Sequence, residues 1–384
     1  MLLVLLCSRL ALGQALPTLA LTREVVVGGD QIEMKRLVGG RISPNGTIYL
    51  SSITGRELLV FGSNGEKRTT LGRYGSGPGD FRSMPYLGFV GDSLWIADGV
   101  LRRFTVYSAE DRLAGTRRIE KLIPPRDNSV NVPKVNGGNH VRAIFSDGSM
   151  LMMAVDYTMS FDKPNEPTRG FPLFKVSSTG AVQHQVGWIP VSHEMVGPSN
   201  NRSQWIYSAF DNRPAHALSV DGALFVTAIP SELDAIVPMA TLTVLRASGD
   251  PVYTRSIPVA TPTIPDSILN REFRSDPRDS KERAELRRTR PRPKFYPPLK
   301  DVFISTSGRV LVVFTSDVEH YDGSTRHFAT EREYLVLDAT GKPVGSFKLP
   351  ARTLVLQLND DVIWASDFDR DDVPTIVRYR ITAP

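Results

Sequence analysis

Ile42-Ser43-Pro44-Asn45-Gly46-Thr47-Ile48-Tyr49-Leu50 is an apolar run, a tight polar turn and a second apolar run. Alternating apolar residues on either side of Asn-Gly predict a hairpin, because Asn and Gly tolerate the backbone angles that such turns need. The phrase returns five more times along the chain. It reads FVGDSLWI from Phe89, IFSDGSMLM from Ile144, LSVDGALFV from Leu218, ISTSGRVLV from Ile304 and LQLNDDVIW from Leu356. Recurrence at intervals of several tens of residues marks a repeat architecture. Four-stranded blades of an all-β, six-bladed β-propeller fit the spacing best.

A second apolar pair follows each of the first five phrases, joined by turns at Asn64-Gly65, Glu110-Asp111, Thr179-Gly180, Gly249-Asp250 and Thr340-Gly341. The sixth phrase is followed only by Thr375 to Ile381, so the last blade lacks its outer strand. Glu24 to Val27 is an orphan strand of the right length, and it is expected to close the ring beside Thr375 to Ile381. Closure of this kind removes a raw sheet edge that would invite aggregation. One propeller domain is thereby expected over residues 17–384.

Extra length falls in two kinds of connection. Links between second and third strands lengthen at 156–170, 230–241, 316–333 and 367–374; links between blades lengthen at 124–139, 190–214 and 260–298. In an up-and-down blade both kinds emerge on one side of the disc. Long irregular loops on a rigid scaffold carry binding or catalysis, so recognition is expected on that side. The insertion at about 262–297 is strongly basic between Arg271 and Lys294. Asp279-Ser280-Lys281-Glu282 has the form of a capping box, which predicts a short helix over 282–290 before Pro291.

The chain opens MLLVLLCSRLALG, a short apolar stretch ending in Ala11 and Gly13, the small residues a signal peptidase prefers. Residues 1–13 are expected to be an export signal, which places the protein in the periplasm or outside the cell. Cys7, the single cysteine, lies within it. The processed chain would carry no thiol, which excludes disulfides, thiolate metal sites and cysteine nucleophiles. A net charge of +5 is modest for 384 residues, and the basic run carries acids throughout. Nucleic acid is therefore not an expected partner. No apolar stretch is long enough to cross a bilayer, and a monomer is expected.

The passage from Gly72 to Ser108 contains Gly77-Pro78-Gly79 with Phe81, then Trp95 with Asp98, then Arg103-Phe104. It resembles the NHL repeat, and Trp364 with Asp367 echoes part of it in the last blade. The resemblance implies a six-bladed NHL-like propeller of the exported bacterial type. It also implies that Asp98 and Arg103 are structural, bonding turn backbone and packing along the outer strands. Gly75 to Gly79 suggests a phosphate cradle, but no Lys-Ser/Thr pair and no helix start follow it.

Counting back six residues from each hairpin turn gives equivalent positions at the channel mouth: Gly40, Tyr86, Arg142, His216, Val302 and Val355. Tyr86, Arg142 and His216, with nearby Arg213, Lys300, Asp301 and Arg352, would surround that mouth. Converging cations there suit a carboxylate- or phosphate-bearing ligand. Tyr157, Phe161, Trp205, Tyr207, Tyr296 and Tyr321 are aromatics in long loops and are candidate anchors for a protein, peptide or glycan. The alternative is a lyase or hydrolase using His216, Arg142 and Asp301 at the mouth. Peptide-amidating lyases of propeller fold resemble this architecture and imply a divalent ion held by histidines from different blades; His140, His193, His216 and His320 would be the set. The opening Glu-Gly-Pro-x-Trp of gluconolactonase-type lactonases is missing, and no Gly-x-Ser-x-Gly elbow appears. No cofactor is expected for the binding reading.

Overall fold

The computed structural model describes residues 16–28, 37–52, 57–83, 86–127, 129–132, 138–155, 170–190, 195–199, 202–205, 210, 212–232, 235–272, 292–315, 320–321, 326–327, 331–369, 371 and 373–382. Strand β1 (Ala20–Val27) comes first and belongs to the last blade. Blade 1 is β2 (Leu37–Ile42), β3 (Ile48–Ser52), β4 (Leu58–Phe61) and β5 (Lys67–Leu71). Blade 2 is β6 (Tyr86–Val90), β7 (Ser93–Asp98), β8 (Arg103–Tyr107) and β9 (Leu113–Arg118). Blade 3 is β10 (Gly138–Ile144), β11 (Met150–Val155), β12 (Gly170–Val176) and β13 (Val182–Pro190), followed by a separate hairpin of β14 (Met195–Ser199) and β15 (Arg202–Trp205).

Blade 4 is β16 (Ala215–Leu218), β17 (Leu224–Pro230), β18 (Met239–Arg246) and β19 (Pro251–Pro258), and helix α1 (Asp266–Glu272) follows it. Blade 5 is β20 (Leu299–Ile304), β21 (Val310–Phe314), β24 (Glu331–Leu337) and β25 (Pro343–Pro350). The hairpin of β22 (His320–Tyr321) and β23 (Arg326–His327) lies between its middle strands. Blade 6 is β26 (Leu354–Asn359), β27 (Val362–Phe368), β28 (Pro374–Thr382) and, outermost, β1. Every blade is antiparallel, so the fold is a six-bladed ring of four-stranded sheets.

The expected closure holds: β1 pairs with β28 from Ala20↔Thr382 to Val27↔Ile376, four residues longer at its start than the sequence suggested. The inner strands also lock at this seam. Gln357, buried on β26, accepts from the Ile42 backbone N–H at 3.0 Å and donates to the Ile42 carbonyl at 2.9 Å.

Burial explains why the blades stand together. Six apolar clusters occupy the six seams, for example Val226, Leu242, Val302 and Val312 between blades 4 and 5. Trp95, Phe104, Ile144 and Met152 fill the seam between blades 2 and 3. A strand with a neighbour on both faces has no solvent side, so Met150 to Val155 is buried at every residue. The turns on the far side of the disc repeat one device. Ser43, Ser219 and Ser305 each accept, through Oγ, a backbone N–H four or five residues on. Among them, Gly65 shows why glycine is required: its φ is +83°, and a Cβ would lie 1.8 Å from the Val26 carbonyl oxygen.

Among the described residues the insertion carries helix α1, and the helix expected over 282–290 lies outside them. Pro265, just before α1, accepts the Ile268 and Leu269 N–H groups through its carbonyl, and Asp266 stands in the first turn, a favourable start for a helix. Tyr296 is corrected outright. It is 2% exposed and packs with Phe210, Ile264 and Leu269 under the loop face, its ring edge-on to Phe210 at 5.6 Å. It fills a satellite core and is not an exposed anchor.

Candidate binding site at the channel mouth

Each inner strand starts on the long-loop side, so the residues early in β2, β6, β10, β16, β20 and β26 ring one end of the channel. Val302 and Val355 are buried and Gly40 has no side chain, so at the six counted positions the polar side chains are Tyr86, Arg142 and His216 of blades 2 to 4. β10 carries a bulge there. Val141 pairs with Met152 and Ala143 with Leu151, leaving Arg142 as the extra residue. A bulge re-aims the side chain it leaves unpaired. The Arg142 guanidinium carbon lies 5.0 Å from the centre of the Tyr86 ring on blade 2, within cation–π range. His140, two residues earlier, meets the same ring edge-on at 5.7 Å.

The charge of Arg142 acts on three basic neighbours. Desolvation, and then the charge of Arg142, lowers the pKa of Arg41, His140 and His216, and it pushes His216 down to about 4. Arg142 is itself held below its usual value by desolvation. Arg41 spans the seam between blades 1 and 6, donating to its own neighbour's carbonyl, Gly40, at 3.0 Å and to the Leu356 carbonyl at 3.1 Å. It keeps an exposed surface, so water still reaches the group and only part of the desolvation acts on it. Among the described residues no carboxylate pairs with Arg41 or Arg142. His140 Nδ1 is buried and has no hydrogen-bond partner there.

Blade 5 has a bulge of the same kind, with Lys300 as the extra residue between Leu299↔Phe314 and Asp301↔Val313. Asp301 Oδ1 accepts from the Val302 N–H at 2.8 Å. Desolvation on the channel wall pushes its carboxyl up to about 6, against that bond and the charges of Lys300 and Arg332. Asp301 keeps an exposed surface toward the lumen, so only part of that penalty acts on it. Arg213 and Arg352 are half-buried near the same rim. Among the described residues, no three His, Cys, Asp or Glu side chains converge as a metal site.

The structure thus brings Tyr86, Arg142 and His216 together. Sequence reasoning missed Arg41, although it follows Gly40, one of the counted mouth positions. It considered His140 only as a metal ligand. Trp205 and Tyr321 lie on the backbone of β15 and β22, and their side chains, like Tyr157, Phe161, Tyr207 and His193, lie outside the described residues.

Asp98 and Arg103 do what the NHL resemblance implies. Buried Asp98 accepts backbone N–H groups of Arg82, Val100 and Leu101 at 2.6–2.9 Å and the Ser83 hydroxyl at 2.7 Å. Arg103 donates to the carbonyls of Ser76, Gly77 and Asp80, so a side chain of the protein occupies the glycine loop. In blade 6 Asp367 accepts instead from side chains, those of Thr353, Arg23 and Tyr379, at 2.8–2.9 Å.

No protein-family model matches the chain, and no curated protein matches it. Solved structures do resemble it over nearly full length. A Bacteroides vulgatus member of the DUF4221 family is 8% identical with a TM-score of 0.50, over 96% of this chain and 98% of that one. A Bacteroides fragilis protein described as a candidate exported protein is 15% identical with a TM-score of 0.48, over 95% of each chain. Virginiamycin B lyase from Staphylococcus aureus is 8% identical with a TM-score of 0.41, over 95% of this chain and all of the other. Identities this low speak for the fold alone.

Proposed function

We propose that this chain is an extracytoplasmic binding module that captures an acidic group of a protein, peptide or glycan ligand at the channel mouth. One observation carries the reading: Arg142, left unpaired by a bulge in β10, lies close enough to Arg41, His140 and His216 for its charge to act on each, and among the described residues no carboxylate pairs with it. Like charges held together in a partly dry space raise the free energy of the empty site. A carboxylate or phosphate lowers it by giving each cation a partner.

Arg142 and Arg41 supply charge, Tyr86 the flat wall that orients Arg142, and His140 and His216 take up a proton as the anion enters. Asp301, on blade 5, disfavours a second anionic group there. Arg213, Lys300 and Arg352 extend the positive rim, and the loop aromatics Tyr157, Trp205, Tyr207 and Tyr321 would contact the rest of the ligand. The first 13 residues, read as an export signal, support a role outside the cytoplasm. The contacts of Asp98 and Arg103 support the NHL-like label.

The test is a thermal-shift and calorimetric screen at pH 6 against inorganic phosphate, sulfate, mono- and dicarboxylates and acidic sugars. At least one anion is expected to bind, and Arg142→Gln should weaken it about ten- to a hundredfold, the size of a lost charged hydrogen bond. Equal binding by wild type and Arg142→Gln, or no anion bound at all, would overturn the proposal.

A further inference from the structure

The outer corner of blade 2 carries positive charge that no acid answers. Register sets Arg118, the last residue of β9, directly opposite Arg103, the first of β8, and Arg117 opposite Phe104. The Arg102 carbonyl accepts the Ile119 N–H, which holds the turn before β8 against the end of β9. Like charges facing each other across a strand pair are destabilising. Arg103 gives its donors to the carbonyls of Ser76, Gly77 and Asp80, while the Asp80 carboxylate is taken by Arg73 at 3.0 Å. Asp98 is buried and already accepts the N–H groups of Arg82, Val100 and Leu101. Arg102, Arg117 and Arg118 are exposed and make no ion pair among the described residues. Exposed Glu120, the next acid along the chain, pairs with none of them there.

The backbone and the apolar side chains of this corner point to a use for that charge. Arg102 has a φ of +51°, in the left-handed region that glycine or asparagine enters more easily. A residue held in such a conformation is a pointer to function, and here the side chain that is kept is a cation. Val100, two residues earlier on the same turn, is 62% exposed, and Asp98 holds that turn in place through the Val100 N–H. Tyr74, at the head of the glycine loop that Arg103 ties down, is 64% exposed. Cations beside protruding apolar side chains match an anionic bilayer, whose phosphates meet the cations while the apolar groups enter the boundary with the acyl chains. An acidic polysaccharide would answer the arginines but leave Val100 in water.

We propose that this corner of blade 2 docks the protein on an anionic lipid surface. Arg102, Arg117 and Arg118 meet the headgroup phosphates, and Tyr74 and Val100 enter the interface. The surface does not depend on anion capture at the channel mouth.

Co-sedimentation of the full chain with vesicles tests this, using phosphatidylcholine alone and phosphatidylcholine mixed with phosphatidylglycerol. Binding is expected to the mixed vesicles and should fall as salt is raised. Each cation near such a surface is worth about fivefold in affinity, so Arg102→Gln, Arg117→Gln and Arg118→Gln together should weaken binding about a hundredfold. The thermal midpoint of that triple variant should be no lower than that of the wild type, because like charges have been removed. Val100→Asp should also weaken binding, and Arg142→Gln should leave it unchanged. Equal binding by wild type and the triple variant overturns the proposal; attachment through the apolar residues 1–13 would give that result. No binding to the mixed vesicles overturns it too, and if soluble polygalacturonate binds instead, the partner is an acidic glycan. Loss of vesicle binding in Arg142→Gln would move the contact to the channel mouth, which overturns it equally.

Discussion

Single side chains set the chemistry of the mouth, and His216 is the one whose behaviour is easiest to read out. Burial comes first among the causes that push it down to about 4, and the charge of Arg142 comes second. Its ordinary value is about 6.5. Between those limits the unfolded chain holds a proton that the folded chain refuses, so stability falls as pH drops from about 6.5 toward 4. His216→Asn should flatten that part of the curve of thermal midpoint against pH. Superimposable curves for wild type and variant would show that His216 does not feel the cluster. A bound anion reverses the penalty, so phosphate or the best anion of the screen should bind more tightly at pH 5.5 than at pH 7.5. The same affinity at both would detach the histidines from the site.

At the scale of strands and turns, the hairpin phrases were legible because their physics is local. Asn45-Gly46 or Asp221-Gly222 between alternating apolar residues dictates a turn whatever surrounds it. The bulges were not legible. Arg142 and Lys300 are extra residues only relative to the strands they pair with, and that register depends on β11 and β21. Arg41 escaped notice for a related reason: its partner is the Leu356 carbonyl, 315 positions away. Tyr296 misled because a long connection can build its own small core, here with Phe210 and Ile264. The hairpins β14–β15 and β22–β23 went unread because neither follows the repeating phrase. Turn strain gives a prediction at this scale. Gly65→Ala meets both an unfavourable φ and the Val26 carbonyl, whereas Gly91→Ala, with φ of +56° and open space, meets only the first. Denaturant midpoints should drop for both, and Gly65→Ala should lose about 1–3 kcal/mol more. Equal losses would mean that the seam between β1 and blade 1 is slack.

Across the whole molecule, stability is shared among six seams, and the one between the chain's two ends is distinctive. It is held by the β1–β28 ladder, by Glu24 with Arg378, and by Gln357 on Ile42. Arg23 and Glu24 put charge on the outermost strand, which discourages edge-to-edge pairing with another molecule. Removing residues up to Val27 would expose β28, with Val377 and Ile381 on it, as an unpaired edge. The truncated protein should unfold at lower temperature and sediment as larger species at micromolar concentration. A truncation that stays monomeric with an unchanged midpoint would show that the ring closes without its first strand.

The geometry of that ladder has a mechanical reading. Because Ala20 faces Thr382 in an antiparallel pair, both ends of the fold leave from the same corner. A pull applied to the two ends therefore peels the strands apart one hydrogen bond at a time instead of loading the ladder all at once. The molecule should yield at low force when tugged by its termini, while the other five seams are spared until blade 6 has opened. Joining the ends and cutting instead at the turn around Thr340-Gly341 would move the weak point to blade 5.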